Sequence, residues 1–342
     1  MRLVRKVLAS ILVLAIIVRP ETTKCVEASL DIGVNYGMLG DNLPSPSDVI
    51  QLFKKYNIGK IRLFEPVPEV LQALRGSGIE VTIGVRDQDI PALAASPDAT
   101  KQWFDTYVQP YADTDFPYIV VGNEIIPGEF DQYFVPAMKN FQNVLNGYGY
   151  AGIKVTTAIA TTTLAVGYPP SAGAFMDSAR ATLAGILDFL SSTSSPLLAN
   201  VYPYYAYVED PVNVRLDYAL FTASGPVVQD GSLSYSNLLD AQLDAIYSAM
   251  EKLGVSGVDL VVSESGWPSA GNGDIATPEL AGTYNRNFLK KFLAMEGTPK
   301  RPNTYLEGFI FAMFNEDQKP AGIEQHFGLF NPDGTPVHPV FS

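Results

Sequence analysis

The sequence predicts a single α/β domain, a (β/α)8 barrel with enlarged loops after its fifth and sixth strands. Three observations point there. Eight short apolar, β-branched runs alternate with segments of helical period. Their even spacing leaves no room for a linker between domains. The 342 residues suffice for one such barrel, about 250 residues, with insertions. An open doubly wound sheet is the competing arrangement. No glycine-rich phosphate loop follows the first strand, which argues against a nucleotide-binding version.

The first element is a targeting segment outside the barrel. Arg2, Arg5 and Lys6 precede an apolar run of 12 residues, 7–18. That run is shorter than the roughly 20 residues a bilayer requires and suits a signal-peptide core. Cleavage after Val26-Glu27-Ala28 divides the chain into a signal, 1–28, and a mature catalytic barrel, 29–342. The expected destination is the extracellular space, the apoplast or cell wall, with no membrane attachment of the mature form. The chain stops just past the last barrel motif, with no hydrophobic tail to signal a GPI anchor.

The strands are expected at residues 31–36, 60–64, 80–85, 118–122, 154–160, 197–202, 259–263 and 306–314, from their β-branched apolar content. Helical segments are expected at 46–56, 69–75, 99–111, 131–148, 174–190, 237–253 and 278–295. Ser45 and Pro46 open the first as an N-cap and a first-turn proline. In 237–253, Leu238, Leu239, Leu243, Ile246, Ala249, Met250 and Leu253 fall at helical spacing. Residues 161–173 and 210–236 exceed a bare barrel. They read as βα-loops on the C-terminal face, where barrel active sites form.

Composition removes other classes. One cysteine, Cys25, cannot pair within the chain and leaves with the signal. Of the 23 basic and 36 acidic side chains, residues 1–28 take five and two, so the mature charge is −16. Nucleic acid is therefore not an expected partner, since no basic face is available for phosphates. His326 and His338 have no partners at metal-ligand spacing, so neither a metal nor a cofactor is expected.

The chemistry rests on two carboxylates. Val120-Val121-Gly122-Asn123-Glu124 ends one apolar strand with an acid, and Val261-Val262-Ser263-Glu264 does the same three strands later. A single strand-end glutamate could close a barrel through a salt bridge. Two across one rim form the apparatus of glycoside hydrolysis, one to protonate the leaving oxygen and one to attack or to activate water.

Further motifs carry a resemblance. Ile32-Gly33-Val34-Asn35-Tyr36-Gly37, Val121-Gly122-Asn123-Glu124, Asn200-Val201-Tyr202-Pro203-Tyr204 and Ser263-Glu264-Ser265-Gly266-Trp267-Pro268-Ser269 are similar to signatures of plant β-1,3-glucanases, glycoside hydrolase family 17. So are Ala312-Met313-Phe314-Asn315-Glu316-Asp317-Gln318-Lys319, Glu324 and Phe327-Gly328-Leu329-Phe330. The resemblance spans Ile32 to Phe341. It implies a retaining barrel enzyme with its acid/base on strand four and nucleophile on strand seven, matching the strand count above. Glu124 is then the acid/base, Glu264 the nucleophile, and Asn123 a partner of the sugar 2-hydroxyl. It also implies Glu316, Lys319 and Glu324 as supporting charges. Tyr36, Phe64, Tyr202 and Tyr205 are the substrate-binding candidates, the tyrosines by stacking on sugar rings, while Trp267 reads as a packing prop.

The chain departs from the family pattern in three places. Arg62-Leu63-Phe64-Glu65-Pro66 stands for the common Arg-Leu-Tyr-Asp-Pro, Tyr205 for a frequent Phe, and Arg86-Asp87 for the usual Pro-Asn. These bear on subsite affinity and preferred chain length. The expected function is endo-hydrolysis of β-1,3-glucan, such as callose, laminarin or the fungal wall glucan of plant defence, by a monomer. The alternatives are a mixed-linkage β-1,3;1,4-glucanase and a non-catalytic glucan-binding barrel.

Overall fold

Strands β1 (Leu30–Tyr36), β2 (Ile58–Leu63), β3 (Glu80–Val85), β4 (Tyr118–Asn123), β5 (Lys154–Ala160), β6 (Leu197–Asn200), β7 (Leu260–Ser265) and β8 (Glu307–Ile310) close into one parallel barrel. Each pairs with its neighbour in sequence, and β8 returns to β1 with Phe309 opposite Gly33. The computed structural model describes residues 29–341, so the expected signal, 1–28, lies outside the described residues.

Both faces of these strands are covered, which is why they read as near-continuous apolar runs. Outward side chains pack against helices α1 (Pro46–Lys55), α2 (Pro68–Leu74), α3 (Pro97–Tyr107), α4 (Phe134–Tyr148), α5 (Asp177–Thr193), α6 (Leu238–Lys252) and α7 (Pro278–Leu293). Inward, Val120, Ala158, Leu198, Val261 and Phe309 fill the barrel. Phe309 lies so close to β1 that a Cβ on Gly33 would sit 2.1 Å from its ring, so only glycine fits there.

Strand β2 sets the polarity of the interior. Lys60 and Arg62, two residues apart, share a face. Lys60 pairs with Asp31 at 2.7 Å and Glu307 at 2.9 Å, both at strand starts, and closes the N-terminal end of the barrel. Arg62 lies one step further along the strand, toward the C-terminal end.

The helix starts follow local chemistry. Ser45, Ser96, Asn237 and Thr277 each accept a backbone N–H in the first turn of α1, α3, α6 and α7. Among the expected boundaries that move, three do so because other local structure wins. The sixth strand ends at Asn200, since Tyr202 instead caps a short helix, Pro203–Glu209, with proline in its first turn. The eighth ends at Ile310, where the Ala312 N–H turns to Phe327 O and the Met313 N–H to Asn35 O. Helix α5 begins at Asp177 because Ala174–Phe175 pairs antiparallel with Leu164–Val166.

That small ribbon lies at the end of the enlarged loop after β5. The loop after β6 holds helix Leu216–Ala219 and the ribbon Val228–Asp230 with Leu233–Tyr235, whose Tyr218 and Tyr235 pack on Ala241 of α6. Among the described residues, no helix is long and apolar enough to cross a membrane.

Candidate active site

The C-terminal ends of the strands surround a cavity of about 630 Å³. Every site residue named from the sequence lines it: Glu124, Glu264, Asn123, Glu316, Lys319, Glu324, Tyr36, Phe64, Tyr202 and Tyr205. Of the two enlarged loops, only the one after β5 reaches the cavity, through Thr161 and Thr162. Residues 210–236 contribute nothing to its lining.

Glu124 is aimed by its backbone. Gly122 has φ +79°, and a Cβ there would meet the Phe134 ring at 2.7 Å. Glu124 itself stands at φ +60° while its N–H remains bonded to Ala158 O at 3.0 Å. A left-handed glutamate costs on the order of 1 kcal/mol, and such strain concentrates at functional sites.

Asn200 joins the two acids. Its Nδ2 lies 2.8 Å from Glu124 Oε1 and 2.7 Å from Glu264 Oε1. The two legs, 2.8 and 2.7 Å, cap the separation of those oxygens at 5.5 Å. The amide orientation is set from its other end, where Oδ1 accepts from Ser263 Oγ at 2.6 Å and Arg62 Nη1 at 3.4 Å. Asn123 Oδ1 is also 3.1 Å from Nδ2, but an NH2 group has two protons to share among these three acceptors.

Glu264 meets donors only. Its Oε1 accepts from Arg62 Nη1 at 2.7 Å and from Asn200, and its Oε2 accepts from the Tyr202 hydroxyl at 2.8 Å. That set matches an acceptor-only carboxylate. Burial and the adjoining Glu264 keep the Tyr202 phenol protonated, well above the usual tyrosine range. Glu124 differs. Burial first, and then the Glu264 charge, raise its pKa above the ordinary glutamate value, against smaller opposing pulls from Asn200 and Arg62. Glu124 is thereby held toward the protonated form that a proton donor needs.

Several assignments change with the geometry. The cation on the acid pair is Arg62, 1 % exposed, which sequence reasoning did not assign. Its other branch, Nη2, donates to Asn123 Oδ1 at 2.7 Å, so that oxygen is occupied and Nδ2 is the atom left to reach a sugar. Lys319 instead lies 3.4 Å from Glu316 and 4.2 Å above the Phe311 ring. Glu316 also accepts the Leu39 N–H at 2.8 Å and holds the loop after β1, while Glu324 accepts from the Tyr205 hydroxyl at 2.8 Å. None of these three charges contacts the acid pair, but the Glu324 charge still adds a small push to the raised Glu124 pKa.

The aromatic candidates divide as well. Tyr36 is 2 % exposed and packs edge-on against Phe314, so it has no ring face open to a sugar. Tyr202 is committed through its hydroxyl to Glu264. Tyr205, 42 % exposed, has a face to offer. Phe64 has the Arg62 guanidinium 4.9 Å from its ring centre. Trp267 is fully buried, packed edge-on against Tyr204 as a prop. Among the described residues, no group of three or more His, Cys, Asp or Glu is placed to hold a metal ion.

The sequence and the fold both match known proteins. Residues 32–340 match the family model for glycosyl hydrolases family 17. The probable glucan endo-1,3-beta-glucosidase BG4 of Arabidopsis thaliana is 54% identical over 319 residues, 92% of each chain. A structure described as one of two plant beta-glucan endohydrolases with distinct substrate specificities superposes with a TM-score of 0.88. It is 45% identical and covers 91% of this chain and 100% of its own. CJP38, a beta-1,3-glucanase and allergen of Cryptomeria japonica pollen, gives a TM-score of 0.86 at 49% identity, covering 91% of this chain and 99% of its own.

Proposed function

The chain belongs to glycosyl hydrolase family 17, and from that premise we propose that it is a glucan endo-1,3-β-glucosidase acting with retention, Glu124 as acid/base and Glu264 as nucleophile. The observation that carries this reading is the Asn200 amide that bridges the two carboxylates. A separation of at most 5.5 Å between the bridged oxygens suits direct attack, for which carboxyls lie about 5–5.5 Å apart. An inverting pair lies about 6.5–9.5 Å apart to admit water.

In the first step Glu264 attacks the anomeric carbon while Glu124 gives its proton to the departing glycosidic oxygen. Esterification removes the Glu264 charge, which after burial is the largest influence holding the Glu124 pKa up. Glu124, left as a carboxylate, is then favoured in the ionised form that a general base requires. It takes a proton from the water that attacks the anomeric carbon and releases Glu264. Arg62 and Tyr202 hold the nucleophile's oxygens, and Asn123 Nδ2 is positioned for the sugar 2-hydroxyl.

The substrate is β-1,3-glucan of the callose, laminarin or fungal-wall kind, and the enzyme is a secreted monomer. The positive and apolar residues 2–18 support secretion. The mixed-linkage reading stays in view because a solved relative belongs to a pair with distinct specificities. Oligosaccharide mapping of laminarin and lichenan digests separates the two.

The roles of the acids are tested with azide and an activated aryl glycoside. In Glu124→Ala, the intermediate forms on Glu264 without acid help and azide opens it to the β-glycosyl azide. In Glu264→Ala, azide attacks from the vacated space and gives the α-azide. Opposite anomers would reverse the assignment, and near-wild-type activity of Glu264→Ala would refute retention.

A further inference from the structure

Two of the departures from the family pattern meet in space. Glu65, after β2, accepts a hydrogen bond from Arg86 Nε, after β3, and the ion pair joins these loops at the cavity rim. A proline at position 86, the residue more usual there, has no side chain able to make this bond.

The pair stands on a held frame. Asp87 accepts the Asn123 N–H at 3.3 Å, tying the β3 loop to the strand that bears Glu124. Phe64, just before Glu65, lies against the Arg62 guanidinium. In the order of the closed barrel, β2 and β3 stand opposite β6 and β7, so the pair faces the wall that carries Glu264 and Tyr205.

Stability does not explain the pair. Its side chains are 43% and 38% exposed, and exposed ion pairs contribute little. Both residues line the cavity, and each carries polar atoms beyond the shared bond. With Nε engaged, the Arg86 Nη groups are donors, and Glu65 Oε1 is an acceptor beside them. A sugar hydroxyl both donates and accepts, so adjacent donors and acceptor suit the hydroxyls of one glucosyl unit.

We propose that Glu65 and Arg86 form a distal subsite that hydrogen-bonds a glucosyl unit away from the scissile bond and biases this chain toward longer substrates. The proposal rests on the glucanase reading above. Its test compares kcat/KM on a laminari-trisaccharide and a laminari-hexasaccharide for wild type, Arg86→Ala, Arg86→Lys and Glu65→Gln.

In Arg86→Ala the hexasaccharide-to-trisaccharide ratio should fall about tenfold, carried by KM rather than kcat, as for loss of a charge-assisted hydrogen bond. Arg86→Lys keeps the charge without the planar fork and should fall in between. Glu65→Gln, which frees the guanidinium to swing, should shift the ratio the same way by less. A ratio unchanged in Arg86→Ala, or both substrates losing equally through kcat, would overturn the proposal. If wild type left laminarin and the oligosaccharides uncleaved, the glucanase reading would fall and take this one with it, an outcome distinct from wild-type cleavage with an unmoved ratio.

Discussion

Arg62 Nη1 lies 2.7 Å from Glu264 Oε1, and the two side chains are 2% and 7% exposed. The same branch donates to Ser263 O at 3.1 Å, and the other branch reaches Asn123. One planar cation from β2 thus fixes groups at the ends of β4 and β7. Removing one partner of a buried pair leaves the other charge without compensation, whatever the net value of the pair.

Arg62→Met should therefore destabilise the fold by about 3–5 kcal/mol, the range for breaking a buried ion pair from one side. Arg62→Lys should fold, but a single ammonium cannot span Glu264 and Asn123 as the fork does. Its kcat should fall by about 10²-fold, as when one preorganised donor is lost. Thermal unfolding and steady-state kinetics on laminarin read the two effects separately.

Asn200→Ala should weaken catalysis and shift its pH dependence. The Asn200 hydrogen bond opposes the rise in the Glu124 pKa, so its loss lets that pKa climb further. The active enzyme needs Glu124 protonated, hence the alkaline limb of kcat/KM should move to higher pH. An alkaline limb that moved down would contradict the bridging role.

Glu264→Gln should do the reverse to Glu124. The Glu264 charge is the second cause, after burial, of the raised Glu124 pKa. Its removal should lower that pKa, measurable by NMR titration of the labelled carboxyl. Turnover should fall by about 10²–10⁴-fold or more, because a covalent step is lost. The wild-type rate should be bell-shaped with an optimum below neutrality, and a kcat/KM maximum above about pH 7.5 would be inconsistent with a carboxylic acid as the proton donor.

Asp244, fully buried in α6, offers a test of stability away from the cavity. Burial raises its pKa to about 6, despite hydrogen bonds from Thr298, the Lys300 N–H and Tyr235. A carboxyl with its folded pKa above the unfolded value favours folding in its neutral form. Its contribution is complete below the unfolded value and is lost as pH rises through about 6. Wild type should accordingly lose on the order of 2–3 kcal/mol from this group between about pH 4 and 7. Asp244→Asn should show a flatter dependence of Tm on pH over the same range.

The sequence by itself determined the alternation of eight strands with helices, because periodicity and caps such as Ser45 and Asn237 act within a few residues. It also exposed Glu124 and Glu264, since an acid ending a β-branched apolar run is locally anomalous, and the other eight side chains, named alongside the family resemblance, line the same cavity. Arg62 carried a weaker signal, a second cation at alternate spacing from Lys60 inside a buried strand. Barrel closure decided the rest. Arg62 meets Glu264 across 202 residues, and Asn200 reaches Glu124 across 76. Likewise, Tyr202 became a hydrogen-bond donor to Glu264 and Tyr36 a buried packing residue. Hydrogen bonds act over about 3 Å. Local residue patterns report nothing about which strand ends will come that close, so these partnerships exist only once the eighth strand has returned to the first.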